Sequence, residues 1–136
     1  MKSIVFICTG NTCRSVMAEY LLRSKINGKD VQISSMGLQG HSQSTSKYAQ
    51  ELCKDIKKHT ARPIVYKELK ASDVIYVMAD RQKNELASMY PDLKSKIFLL
   101  HHDGKDIKDP YGGTREDYVH AYTVINEEID ALVKTL

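Results

Sequence analysis

The chain has 136 residues, 42% of them hydrophobic and 27% charged, and a formal net charge of +3. That size and balance suit one globular domain spanning 1–136 with a core of its own, and exclude a disordered or low-complexity chain. The mild positive charge favours anionic substrates. No long basic run interleaved with aromatics suggests nucleic acid, and the apolar stretch before Cys8 turns polar too soon for a signal segment or membrane span, so a cytoplasmic location is expected.

In chain order, Ile4-Val5-Phe6-Ile7 reads as a first strand that delivers Cys8 to a short polar loop, Thr9-Gly10-Asn11-Thr12-Cys13. Arg14 and Ser15 follow, and Val16, Met17, Tyr20 and Leu21 then recur at helical spacing until Asn27-Gly28 closes the helix. Val31 to Met36 reads as a second strand ending at Gly37, and Tyr48, Ala49, Leu52, Cys53 and Ile56 mark a second helix. Asp73 to Met78 is a buried strand, Asp80 to Met89 a helix stopped before Pro91, and Ile97 to Leu100 a short fourth strand. Tyr118, Tyr122, Ile125, Ile129 and Leu132 define a long last helix, with Thr114 as N-cap and Asp117 as its acidic capping partner. This alternation predicts an α/β fold: a four-stranded parallel sheet with helices on both faces and ligands at the carboxyl ends of its strands.

The first loop lies at such an end, and its spacing carries chemistry. Amides of the loop and of the helix's first turn, with the positive end of the helix dipole, form an anion pocket; the same donors stabilise a thiolate. Arg14 can grip two non-bridging phosphate oxygens with its planar fork, and Ser15 can donate its hydroxyl to the sulfur. Gly10 and Asn11 tolerate the left-handed backbone a tight loop needs. A cysteine is most often a small buried hydrophobe. Its place between a strand and a helix favours a phosphate-handling nucleophile, with residues 9–14 as the anion cradle.

A second polar stretch, His101 to Thr114, follows the fourth strand and contains Asp109-Pro110-Tyr111-Gly112-Gly113. Asp-Pro is more often a turn than an acid, but beside the first loop a carboxylate would protonate a leaving group and then activate water. Pro110 restricts Asp109 to extended backbone. Three cysteines, Cys8, Cys13 and Cys53, do not make a disulfide framework. Cys13 is read either as a reversible disulfide partner of Cys8 or as filler beneath the loop, and Cys53 as core. His101-His102-Asp103 is ligand-like, yet adjacent loop residues seldom face one ion and no other Cys or His lies at zinc spacing, so no metal or cofactor is expected. Lysines 54, 57, 58, 67 and 70 read as a solvated face.

Together, Cys8 to Ser15 at the N-terminus and the late Asp109-Pro110-Tyr111 resemble the low-molecular-weight protein tyrosine phosphatase family over nearly the full length. The resemblance implies Cys8 as nucleophile, Arg14 as transition-state clamp, Ser15 as thiolate partner and Asp109 as general acid then base. It implies that hydrogen bonds hold Asn11, with Ser35 and His59 as supports, although His59 also reads as an exposed loop histidine. Substrates would be phosphorylated proteins or peptides, with inorganic phosphate as product, no cofactor, and a monomeric enzyme.

The chain departs from that pattern at Val16, where a proline is usual, and at Thr12, where tyrosine-directed members carry a bulkier branched aliphatic. Thr12, with the Asp-Pro-aromatic-Gly-Gly segment, resembles the bacterial protein arginine phosphatase branch. A polar wall suits a guanidinium as an aliphatic one suits an aromatic ring. His41 falls where tyrosine-directed members place an aromatic wall, and Tyr111 completes the expected pocket. Two rivals share a cysteine in an anion loop. A thiol-dependent arsenate reductase needs additional mid-chain cysteines, and only Cys53 is present; a phosphocysteine carrier would want neither Arg14 nor Asp109.

Overall fold

Strand β1 (Lys2–Cys8) is buried along most of its length, with Ile4, Phe6 and Ile7 fully shielded and Val5 nearly so. Its unbroken apolar run follows from its position in the computed structural model, which describes residues 2–26, 29–40 and 44–136. It is an inner strand of a sheet ordered β2-β1-β3-β4, between β2 (Val31–Gly37) and β3 (Val74–Val77), with β4 (Ile97–Leu99) at the far edge. Every pairing is parallel, the registers running Lys2↔Val31 to Cys8↔Gly37, Ile4↔Val74 to Ile7↔Val77, and Ile75↔Ile97 to Val77↔Leu99. The expected four-stranded parallel sheet forms.

Successive side chains of a strand point to opposite faces, and the core divides accordingly. Ile4 and Phe6 pack with Met17 and Leu22 of α1 (Arg14–Lys25) and with Ile125 and Ile129 of α5 (Arg115–Val133). Val5 and Ile7 pack on the other face, against Leu69, Leu86 and Leu93. The first two of these come from α3 (Tyr66–Ala71) and α4 (Asp80–Met89), and Leu93 from the 3-10 turn Pro91–Lys96. From β1 the chain passes to β2 on one side and later returns to β3 on the other. The crossovers diverge beyond the carboxyl ends of β1 and β3, opening a crevice directly above Cys8.

Two elements differ from the sequence reading. The helix expected from Tyr48 to Ile56 is α2 (Lys47–Leu52) followed by a 3-10 turn, Lys54–Lys58, because Cys53 leaves helical geometry at φ −137° and ψ 85°. Cys53 and Ile56 still reach the core, so the apolar stripe survives the break. The bend directs the following segment toward the first loop, where His59 and Arg62 hydrogen-bond to Asn11. Helix α3 was not anticipated: at six residues it is too short to show a periodic stripe and depends on the burial of Leu69. The predicted helix stop at Asn27-Gly28 and the pocket-wall residue His41 lie outside the described residues.

The last helix begins as its sequence directs. Thr114 Oγ1 accepts from the Asp117 amide at 3.3 Å, and Asp117 Oδ2 accepts from the Thr114 amide at 2.9 Å. These bonds hold the Asp117 carboxyl below its usual range. Loss of such a cap costs about 1 kcal/mol. Thr114→Ala is therefore expected to lower the chemical-denaturation midpoint by that equivalent, and an unchanged midpoint would show that the cap contributes nothing.

Candidate active site

The loop between β1 and α1 is shaped by one residue. Asn11 has φ +54°, the single positive φ outside glycine among the described residues, and it is fully buried. Its side chain makes four hydrogen bonds. The Arg62 amide donates to Oδ1 at 3.0 Å, which identifies that atom as the oxygen, and His59 Nε2 lies 2.9 Å from the same acceptor and so carries the proton. On the other side Nδ2 donates to Ser15 Oγ at 2.8 Å and to Ser35 Oγ at 2.9 Å. Ser35 in turn donates to Glu19 Oε1 at 2.6 Å.

Because Ser15 Oγ already accepts from Asn11, its own proton is available to the sulfur of Cys8, 2.9 Å away. The Asn11 amide approaches the same sulfur at 3.3 Å. Among the described residues the amides of Gly10, Thr12 and Cys13 donate to no protein acceptor, so they remain for an anion. The strand ladder continues onto the loop through Leu38 N–H to the Cys8 carbonyl and Gln39 N–H to the Thr9 carbonyl. Gly37 permits this approach, since a Cβ there would stand 2.8 to 2.9 Å from backbone atoms of Thr9, Gly10 and Asn11.

The second stretch closes over the loop. Ile107 is buried, donates its amide to the Met78 carbonyl at 2.7 Å, and accepts from Arg14 Nη1 at 2.8 Å. Arg14 is thereby held with its side chain 5% exposed, and Nη2 lies 3.5 Å from Asp109 Oδ2. Asp109 is half exposed, its other oxygen accepting from the Tyr111 amide at 3.0 Å. The result is a cleft of about 240 Å³ with Cys8, Arg14 and Asp109 in its lining. Thr9, Gly10, Thr12 and Cys13 also line it, and Tyr111, 75% exposed, stands at its rim. Asn11, Ser15, Ser35 and His59 do not line the cleft; they form the frame behind it. Burial, then the neighbouring Cys8, pushes the Cys13 thiol up, whereas burial pushes His59 down.

Gln39 and Gln82 are among the participants that the sequence reading did not reach. Gln39 lines the cleft without a motif to announce it. Gln82 is buried and bridges the loop to α4: its Oε1 accepts from the Met78 and Ala79 amides at 2.9 and 3.0 Å, and Nε2 donates to Thr9 Oγ1 at 3.1 Å. A glutamine at the third position of a helix following a buried strand is the available signal, because it reaches back to cap the helix start.

Residues 3–136 match the family model described as low molecular weight phosphotyrosine protein phosphatase. The chain belongs to that family. Its relatives include the low molecular weight protein-tyrosine-phosphatase Ptp of Acinetobacter johnsonii, 37% identical over 81% of this chain and 80% of that protein. Another is the protein-arginine-phosphatase of Bacillus subtilis strain 168, 29% identical over 98% of this chain and 95% of that protein. Among solved structures, the low molecular weight protein tyrosine phosphatase from T. tengcongensis superposes with a TM-score of 0.91 at 34% identity, each chain covered completely. The phosphatase fold thus extends over the whole of this chain, and no helix among the described residues is long and apolar enough to cross a membrane.

Gln82→Leu removes the donor to Thr9 together with the cap. It is expected to raise KM for an aryl phosphate and weaken inhibition by inorganic phosphate several-fold, with a smaller effect on kcat. Unchanged KM and phosphate inhibition in a folded variant would show that the Thr9 contact does not shape the loop.

Proposed function

We propose that this phosphatase hydrolyses phosphorylated protein side chains in two steps through a phospho-cysteine. The convergence of the Cys8 sulfur, the Arg14 guanidinium and the Asp109 carboxylate on one cleft carries this reading. Cys8 attacks phosphorus, the S–P bond forms and the bond to the departing oxygen or nitrogen breaks, while Asp109 supplies its proton. A water then attacks the same phosphorus, Asp109 takes its proton, the S–P bond breaks and inorganic phosphate leaves. Arg14 holds the equatorial oxygens in both steps, where charge is spread during transfer. Ser15 donates to the sulfur as it leaves. No cofactor enters, and the enzyme acts as a cytoplasmic monomer.

Phosphoarginine is the favoured substrate. Thr12 offers a hydroxyl where a branched aliphatic would pack on an aromatic ring, and the exposed Gln39 adds an amide to the same cleft. Phosphotyrosine is the second reading, favoured by Tyr111 at the rim, which can stack on a ring. Arsenate reduction is disfavoured because Cys53 sits in the core at the end of α2 and does not line the cleft. Cys13 does line it. Burial raises its pKa and keeps it a thiol at neutral pH, which removes it from attack on the substrate and leaves that role to Cys8.

Matched peptides carrying phosphoarginine or phosphotyrosine test the substrate. Thr12→Ile is expected to shift the ratio of kcat/KM toward phosphotyrosine by about tenfold, the scale of one or two methylenes in a pocket. An unchanged ratio removes the pocket-wall argument. Asp109→Asn is expected to slow phosphate esters of poor leaving groups by roughly a hundredfold or more, and activated aryl phosphates less. Equal loss on both would remove the acid role.

A further inference from the structure

Glu128 lies on the inward face of α5 beside Ile125 and Ile129, with its side chain only 8% exposed. A carboxylate taken out of water requires a compensating charge or a full set of donors. Among the described residues no lysine or arginine pairs with it. Its hydrogen-bond partner is the His102 imidazole, with Nδ1 2.5 Å from Oε1; His101 Nδ1 stands 3.9 Å from the same oxygen and accepts from the Asp103 amide at 3.2 Å, a contact that a bound cation would displace. The other oxygen accepts from the His102 amide at 3.1 Å.

Adjacent loop histidines ordinarily diverge. Here their rings stack at a centroid distance of 5.2 Å and an interplanar angle of 22°, and one ligand atom from each of the three side chains falls within 4.8 Å of the others. Glu128 is the ligand that motif spacing missed, because it lies 26 residues beyond His102 on another element. On the far side of His102, Nε2 stands 3.0 Å from Asp103 Oδ1. Metal-bound histidines recurrently place a carboxylate on the second ring nitrogen in this way, which fixes the ring and strengthens it as a ligand.

We propose that His101, His102 and Glu128 bind a divalent transition cation of the zinc class through two Nδ1 atoms and one carboxylate oxygen. Two imidazoles disfavour calcium and magnesium, which take oxygen ligands, and suit zinc. Zinc bonds of about 2.0 to 2.2 Å place tetrahedral ligand atoms roughly 3.3 Å apart. The His102 pair therefore opens and the His101 pair closes, each by about 1 Å or less, and the two imidazole nitrogens, which lie within 4.8 Å of each other, draw together as well. His102 is 71% exposed, leaving the fourth position to solvent. The site lies outside the catalytic cleft and joins the end of β4 to α5. The segment between those anchors carries Asp109, so a bound cation would brace the acid loop from outside the chemistry.

Calorimetric titration of zinc into the full chain carrying Cys8→Ser and Cys13→Ser, which removes the cleft thiols as competing ligands, tests the proposal. One saturable equivalent is expected, undisturbed by excess magnesium. His101→Ala and Glu128→Gln should each weaken it more than tenfold, and Asp103→Asn about tenfold. His101→Ala alters a loop side chain rather than the core, so its result stands even if Glu128→Gln impairs folding. Absence of saturable uptake in the cysteine-replaced chain, or uptake indifferent to His101→Ala, overturns the site.

Discussion

The active site depends on the hydrogen bonds that hold Asn11. Asparagine is among the non-glycine residues that the left-handed region strains least, and a buried amide left unpaired costs about 1 to 3 kcal/mol. Four side-chain hydrogen bonds satisfy that amide and fix the loop in the left-handed turn. They originate from α1, from β2 and from the segment after the 3-10 turn Lys54–Lys58, so Asn11 joins three parts of the chain at one point. These bonds fix the turn from which the loop amides project. The same bonds orient Ser15, whose proton then has the Cys8 sulfur as its acceptor. Conformation and reactivity are set by one network.

Charge is arranged around that frame in an order that suits the proposed chemistry. The cation that would meet the phosphate, Arg14, is buried and already committed through Nη1 to the Ile107 carbonyl, so its fork is oriented before substrate arrives. Asp109 is half exposed and 3.5 Å from the other end of that guanidinium, close enough to be steered and loose enough to exchange protons with water and a leaving group. Ile107 ties these halves together, since its amide bonds to the end of β3 and its carbonyl to Arg14. Behind the frame, buried Glu19 accepts from Ser35 and pairs with Arg23, ending the relay on a charge distant from the phosphate.

What could be read from sequence followed the range of the interactions. The strand, loop and helix from Ile4 to Leu21 are contiguous, so the order of Cys8, Arg14 and Ser15 already encodes their geometry. The Thr114 cap was legible for the same reason: its partner is three residues away. Ser35 and His59 were reached through family resemblance alone, because their contacts with Asn11 span 24 and 48 residues. Arg62 left no side-chain signature, since it contributes a backbone amide. The break at Cys53 was invisible to periodicity, because both halves present the same apolar stripe; what separates them is the long-range attachment of residues 59 and 62. Glu128 carries no local motif; the fold alone sets it against the histidines after β4.

The central claim is that the frame around Asn11 presents Cys8 as the atom that takes up phosphorus. Acid-quenched enzyme, sampled by mass spectrometry during turnover of an aryl phosphate, should carry a phosphoryl group on the peptide containing Cys8. The adduct should accumulate further when Asp109→Asn slows the attack of water. A phosphoryl group on any other residue, or full turnover by Cys8→Ser, would contradict the account.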